Sequence, residues 1–369
     1  MSTTRNRIIY QSEALVMSPI SGAATGTNII KLIEANASTE VTRKNVNVFG
    51  KAASIDRIIV DEPQVSVDFK YYLTDGENEA HLGFPIDGST NILSNFLQNS
   101  GDVKNFFMVT SPEGVDAHNT NPNTGTYQYV NIGNAFINRY GIDLKVGDIP
   151  TASISAEASN IVFATGSSSG VRNPSVDISQ TIPTQLTGNI VMPTINVTGD
   201  GAVSALRPGD IVLDFGSSSL DMGGAVMIGS TSASSKTSCH IDSFSLEVPI
   251  KRQPLKRIGN FFAFAKVVDL PIDVTLTASA NLADIDAGSL IDLICAGSVK
   301  RTITATLYGP CDAGVGAPKM FFKMKGAILD SEAFKASIGQ NKTVDFKFSA
   351  QVGAPNDTDN GIFVSGSYT

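Results

Sequence analysis

Apolar and polar residues alternate along much of this chain. Val65, Val67, Phe69, Tyr71 and Leu73 are apolar at every second position, and the run ends at Asp75-Gly76. A period of two puts all five side chains on one face of a strand. Val46, Val48, Ile55, Ile58, Ile59 and Val60 predict an earlier strand. The spacing then changes: Ile92, Leu93, Phe96 and Leu97 share a helical face, with Ser89 or Thr90 as cap and Ser100-Gly101 as terminator. Lys104 to Thr110 returns to strand. After a polar loop over 111–126, Tyr127 to Leu144 and Ile149 to Phe163 predict a long hairpin about the turn Lys145-Val146-Gly147-Asp148.

The same order recurs further on. Ile241, Phe244, Leu246, Val248 and Ile250 predict a strand that runs into a turn rich in Lys and Arg. Val267, Val268, Leu270, Ile272, Val274 and Leu276 predict the next strand, with a β-branched bias. Asp284 to Ile294 predicts a short helix with Leu290, Ile291, Leu293 and Ile294 on its apolar side. Arg301 to Leu307 is a strand, and Met320 to Leu329 with Val344 to Gln351 is a second hairpin. The strand at Lys104 precedes the one at Arg301 by about 197 positions, which points to an internal duplication. The alternative is one large all-β protein without a true repeat. The expected fold class is all-β with one short helix per domain, in two tandem β-barrel or β-sandwich domains. The expected divisions are an arm and loops over 1–45, a first β-domain over 46–165, a Ser/Gly-rich linker over 166–185 and a second β-domain over 186–369. Gly166 to Gly170 fits G-x-S-x-G around Ser168, but flanking serines and the lack of a following helical pattern argue for a connector rather than a nucleophile elbow.

The segments SFSLEVPIKRQPLKRIG and FAKVVDLPIDVTLT, with the stretch after them, resemble the tail-tube (major tail) proteins of long-tailed bacteriophages. The resemblance covers about 240–310 and extends more weakly to 45–165. It implies a two-domain tail-tube fold and a structural virion protein that self-assembles, in the host cytoplasm, into stacked rings around a channel for the genome. Two-domain members would form trimeric, pseudo-hexameric rings, where single-domain relatives form hexamers; a hexameric ring is the alternative for this chain. The implied partners are further copies of the chain, other tail proteins, and DNA that passes through the lumen without specific binding. The alternatives are another phage β-structural component (neck, baseplate or fibre) or a non-enzymatic binding module.

Charge and composition narrow this picture. The 369 residues carry 27 Lys and Arg against 35 Asp and Glu, a net charge of −8, which disfavours a broad basic face for gripping nucleic acid. Three cysteines, Cys239, Cys295 and Cys311, form no C-x-x-C pair and read as reduced thiols. Three histidines, His81, His118 and His240, are too scattered for a zinc site or a catalytic triad. Asp357 to Gly361 has the acidic spacing of a turn rather than a calcium loop, because Gly361 stands one place early and no Glu follows. No catalytic, cofactor or metal residues are expected, and the protein is not expected to be an enzyme. No apolar leader and no run near the roughly 18 residues needed to span a bilayer is evident, so no membrane role is expected. The candidate inter-subunit contacts are Ile8, Ile9 and Tyr10 in the arm, which is expected to order against a neighbour, and the basic cluster Lys251, Arg252, Lys256 and Arg257.

Overall fold

The structure is a computed structural model, and it describes residues 8, 13–19, 28–98, 102–117, 119–120, 122–178, 180, 184–196, 206–216, 239–282, 300–310 and 316–368. The predicted helix over Asp284 to Ile294, and both Cys295 and Cys311, lie outside these residues. The fold is all-β, as the alternating pattern requires.

The first half supplies nine principal strands: β1 (Glu13–Pro19), β2 (Glu34–Glu40), β3 (Arg43–Val46), β4 (Asp56–Ile59), β5 (Gln64–Tyr72), β6 (Val103–Thr110), β7 (Gln128–Lys145), β8 (Thr151–Ala158) and β9 (Asn160–Thr165). The second half supplies nine more: β10 (Ile211–Asp214), β11 (Cys239–Pro249), β12 (Arg252–Leu255), β13 (Ala265–Val268), β14 (Asp273–Leu282), β15 (Arg301–Tyr308), β16 (Pro318–Lys335), β17 (Thr343–Gln351) and β18 (Gly361–Gly366). Two short helices, α1 (Glu77–Leu82) and α2 (Ser94–Leu97), join β5 to β6.

The antiparallel pairing of the first nine strands is repeated by the second nine. In the first half β1 pairs β6, β6 and β9 flank the N-terminal part of β7, β8 pairs its C-terminal part, and the ladder continues through β5 to β2. In the second half β10 pairs β15, β15 and β18 flank the N-terminal part of β16, β17 pairs its C-terminal part, and the ladder continues through β14 to β11. The strands β3 and β4 make a separate ribbon between β2 and β5, and β12 and β13 make one between β11 and β14. Arg43 pairs Ile59 as Arg252 pairs Val268, each position advanced by 209. The bulge in β7 between Ile137 and Arg139 recurs in β16 between Leu329 and Ser331, advanced by 192.

Each long strand changes partners beside a residue of positive φ, Asn134 in β7 and Gly326 in β16, which stand 192 positions apart, and so belongs to two layers. The apolar residues of both layers turn inward. Phe69 on β5 meets Phe106 on β6 edge-on at 5.6 Å, although their strands are not paired. Phe215, just after β10, meets Phe348 on β17 at 6.1 Å. The continuous core runs through both halves, from Val67, Phe69 and Ile154 to Leu276, Phe346 and Phe348.

Some local expectations shift. Ser89 and Thr90 lie in a short strand, Asp87–Asn91, where the Asp87 carboxylate accepts both backbone N–H groups. The helix that follows is one turn, with Ile92, Leu93 and Phe96 fully buried. Val267 and Val268 end β13 rather than opening β14, because Pro271 has no N–H to give a ladder. The polar segment after Gly170 has the composition of a connector but is pinned to the first half. Asn173 and Ser175 are buried, and the Ser175 hydroxyl donates to Asn105 Oδ1 at 2.8 Å. Val171, Ile190 and Met192 cover Val16, Phe107 and Tyr129 in a second, smaller core.

Candidate assembly interface

The halves are joined edge to edge. Residues Arg139 to Lys145 of β7 pair residues Pro249 to Ser243 of β11, with Ile142 opposite Leu246. Backbone bonds extend both ends of this seam: the Ile250 N–H donates to Asn138 O at 2.7 Å, and the Val146 N–H to Asp242 O at 3.0 Å. Eight strands therefore run in one ladder: the C-terminal part of β16, then β17, β14, β11, the C-terminal part of β7, then β8, β5 and β2.

Alternation gives this ladder two unlike faces. Tyr71, Ala152, Ile142, Leu246, Leu276 and Phe348 form one cross-strand row on the core side. The neighbouring row on the other side is Glu34, Lys70, Ser153, Gly141, Glu247, Thr275 and Ser349. That polar face mixes Ser and Thr with acids such as Glu34, Asp68, Asp143, Glu247 and Asp273, and with fewer bases, among them Lys70, Arg139 and Lys347. Arg139 Nε and Glu247 Oε1 meet across the seam at 2.9 Å.

The β12–β13 ribbon folds back from the second half onto the first. Both terminal nitrogens of Arg252 reach the Asp102 carboxylate at 2.6 Å, with both side chains about 95% buried. The guanidinium lies 5.1 Å over the Phe136 ring, and its Nε donates to Ile137 O. Lys266 reaches Glu62 at 3.3 Å, and Lys256 pairs Asp61, whose carboxyl that hydrogen bond holds below its ordinary range. A cleft of about 230 Å³ between ribbon and sheet is lined by Ser38, Gln64, Glu157, Lys256 and Lys266.

The basic cluster is thus divided by the fold. Arg252 is spent inside the chain, and Lys256 holds Asp61 at the surface. Arg257 lies 5.6 Å over the Phe264 ring. Lys251, Arg257 and the neighbouring Ile258 stand exposed on the ribbon. Ile8 is exposed, while Ile9 and Tyr10 lie outside the described residues. Sequence reading missed Asp102, Asp61 and Glu62 as partners of the cluster, because they lie far away along the chain. It also missed the two ends of the eight-strand ladder, where no described strand adds to the outer edge of β2 or to the C-terminal edge of β16 opposite β17. The shared spacing of 209 between the two ribbons was the available signal.

Among the described residues no group of three or more His, Cys, Asp or Glu side chains is placed to hold a metal ion. Among them, too, no helix is long and apolar enough to cross a membrane. No family model matches the chain, and no curated protein matches it. Among solved structures, the SPP1 tail tube, determined by solid-state NMR and cryo EM, is similar over 44% of this chain and 81% of its own, at 13% identity and a TM-score of 0.31. A likeness of that size does not establish a shared fold.

Proposed function

We propose that the chain is a structural virion protein, the major subunit of a phage tail tube, and that it assembles into stacked rings around a channel. The observation that carries this reading is the edge-to-edge seam between two equivalent halves. A unit that joins a copy of itself through one edge, and ends in the same kinds of edge, is built for head-to-tail association. A head-to-tail contact that closes gives a ring, and stacking of rings gives a tube.

Each half is read as one tube domain, so three chains make a pseudo-hexameric ring to which each contributes eight ladder strands. The polar face becomes the lumen. Its Ser, Thr and predominantly acidic side chains offer phosphates few counter-charges, so DNA slides through without being held. The arm near Ile8 and the exposed ribbon residues Lys251 and Arg257 are the proposed contacts between rings. The sequence resemblance over 240–310 supports the same reading, and the reading carries with it a place in the virion after assembly in the host cytoplasm.

Negative-stain electron microscopy of the purified protein across concentrations tests it. Rings or hollow tubes are expected. Monodisperse compact particles at every concentration would overturn it and move the assignment to a neck, baseplate or fibre component, or a binding module.

A further inference from the structure

The seam inside the chain supplies a template that can be transferred to the unpaired edges. Within one chain, β11, the second strand of the second half, pairs the C-terminal part of β7. Its counterpart in the first half is β2, and the counterpart of β7 is β16. Both edges that these two strands would use are unoccupied by any described strand.

We propose that β2 of one copy pairs antiparallel with the edge of residues 331–337 in a second copy, in the register of the internal seam. Transferring Arg139–Pro249 through Tyr140–Val248 to Lys145–Ser243, with advances of 192 on one strand and 209 on the other, sets Ser331 opposite Glu40. Ala333 then faces Ser38, Phe334 faces Ala37 and Lys335 faces Asn36. This deepens the tube reading and rests on its lateral association of identical chains.

Three independent observations favour a second copy as the occupant. Phe334 is 44% exposed, whereas Ile142 at the equivalent place is sealed by β11 at 0%. Val41 is 39% exposed, whereas its equivalent Ile250 is 0% exposed. Beta-edges are ordinarily blunted by charged side chains, proline or a bulge, and β2, EANASTE, has no Lys or Pro and is uncharged from Ala35 to Thr39 between its terminal glutamates. The register also places Lys335, which pairs Asp345 in its own chain, diagonal to Glu34 of the neighbour. The β3–β4 ribbon accompanies β2 onto the neighbour, with Arg43 in the place of Arg252.

The test mixes two variants of the full chain, Ser38→Cys and Ala333→Cys, and treats them with a short bismaleimide. Mass spectrometry then seeks the peptide joining residue 38 to residue 333, while the same sample is imaged by electron microscopy. Because each new cysteine is on a different chain, that link arises only between copies, and native cysteines do not mimic it. The link is expected in the mixture and absent from either variant alone. Rings without the link would overturn this edge assignment and leave the tube reading standing. Neither rings nor link, with circular dichroism showing folded β-protein, would overturn both. The link without rings would uphold the edge and remove the tube. As a second measurement, Phe334→Asp, at a position already half exposed, is expected to keep the folded spectrum and lose ring formation. Unchanged rings would count against the register.

Discussion

Ile142 and Phe334 occupy the same place in the two halves, one sealed under a neighbouring strand and the other left 44% exposed on an open edge. Their energetic roles in a dilute, unassembled chain should differ accordingly. Ile142→Ala removes packed atoms beneath Leu246 and is expected to cost about 2–5 kcal/mol. Phe334→Ala removes a surface ring and is expected to cost at most about 0.5 kcal/mol. Urea denaturation at concentrations below assembly compares them. Equal costs would mean that the chain itself already covers the β16 edge.

Asp102 neutralises Arg252 where both are almost fully buried. Truncating one partner leaves the other charge without solvent or counter-ion. Asp102→Ala is therefore expected to destabilise by about 3–5 kcal/mol. The double variant Asp102→Leu with Arg252→Met removes both charges together and should be the milder change. A denaturation midpoint for each variant decides the matter, and an innocuous Asp102→Ala would show that water reaches the guanidinium.

Much of the fold was legible because a period of two is a local signal. Val65, Val67, Phe69 and Tyr71 are buried in β5 as their spacing requires, and the turn at Val146 to Pro150 sits where the long hairpin needs it. The order of elements that suggested a duplication reappears as a repeated pairing pattern. What was not legible is non-local. Nothing near Arg252 announces Asp102, 150 positions earlier, and strand order alone does not say which edges meet. The basic cluster therefore read as a uniform surface, although Asp102 and the Phe136 ring hold one member inside against the cost of desolvation and leave the others outside. Short apolar runs were also ambiguous: Ile92 and Leu93 suit a helix face equally well when the core, rather than a helix, is what buries them.

Glu79 in α1 is fully buried, and its Oε1 accepts hydrogen bonds from the hydroxyls of Tyr71 at 2.9 Å and Tyr140 at 3.1 Å. Burial raises its pKa above the ordinary 4.5, outweighing the two hydroxyls, which pull it down. The folded state thus holds this proton more tightly than the unfolded state. The contribution to stability is fully present below 4.5 and is lost as pH rises through the folded value. Glu79→Gln keeps an oxygen acceptor for both tyrosines and removes the charge. It is expected to gain stability over the wild type progressively as pH rises through that range, with the two curves running parallel once the folded-state carboxyl is ionised. Denaturation series across pH measure this. A difference that stays constant from acid to neutral pH would show that Glu79 does not titrate differently on folding.

The polar face gives the last prediction, because its charge is set residue by residue. Asp143 and Glu247 lie on that face beside the seam, and Glu247 also neutralises Arg139. Assembled wild-type protein is expected to hold duplex DNA weakly at physiological salt. Replacing Asp143 and Glu247 by Lys adds two cations and releases Arg139, so phosphates gain several partners in one place. Each phosphate neutralised steepens the dependence of log affinity on log salt by about 0.9. Fluorescence anisotropy with a labelled duplex, titrated with salt, should therefore show measurable and strongly salt-dependent binding for the variant alone. If wild-type assemblies bound DNA with the same slope, the proposal that this face lines a channel for DNA would be overturned.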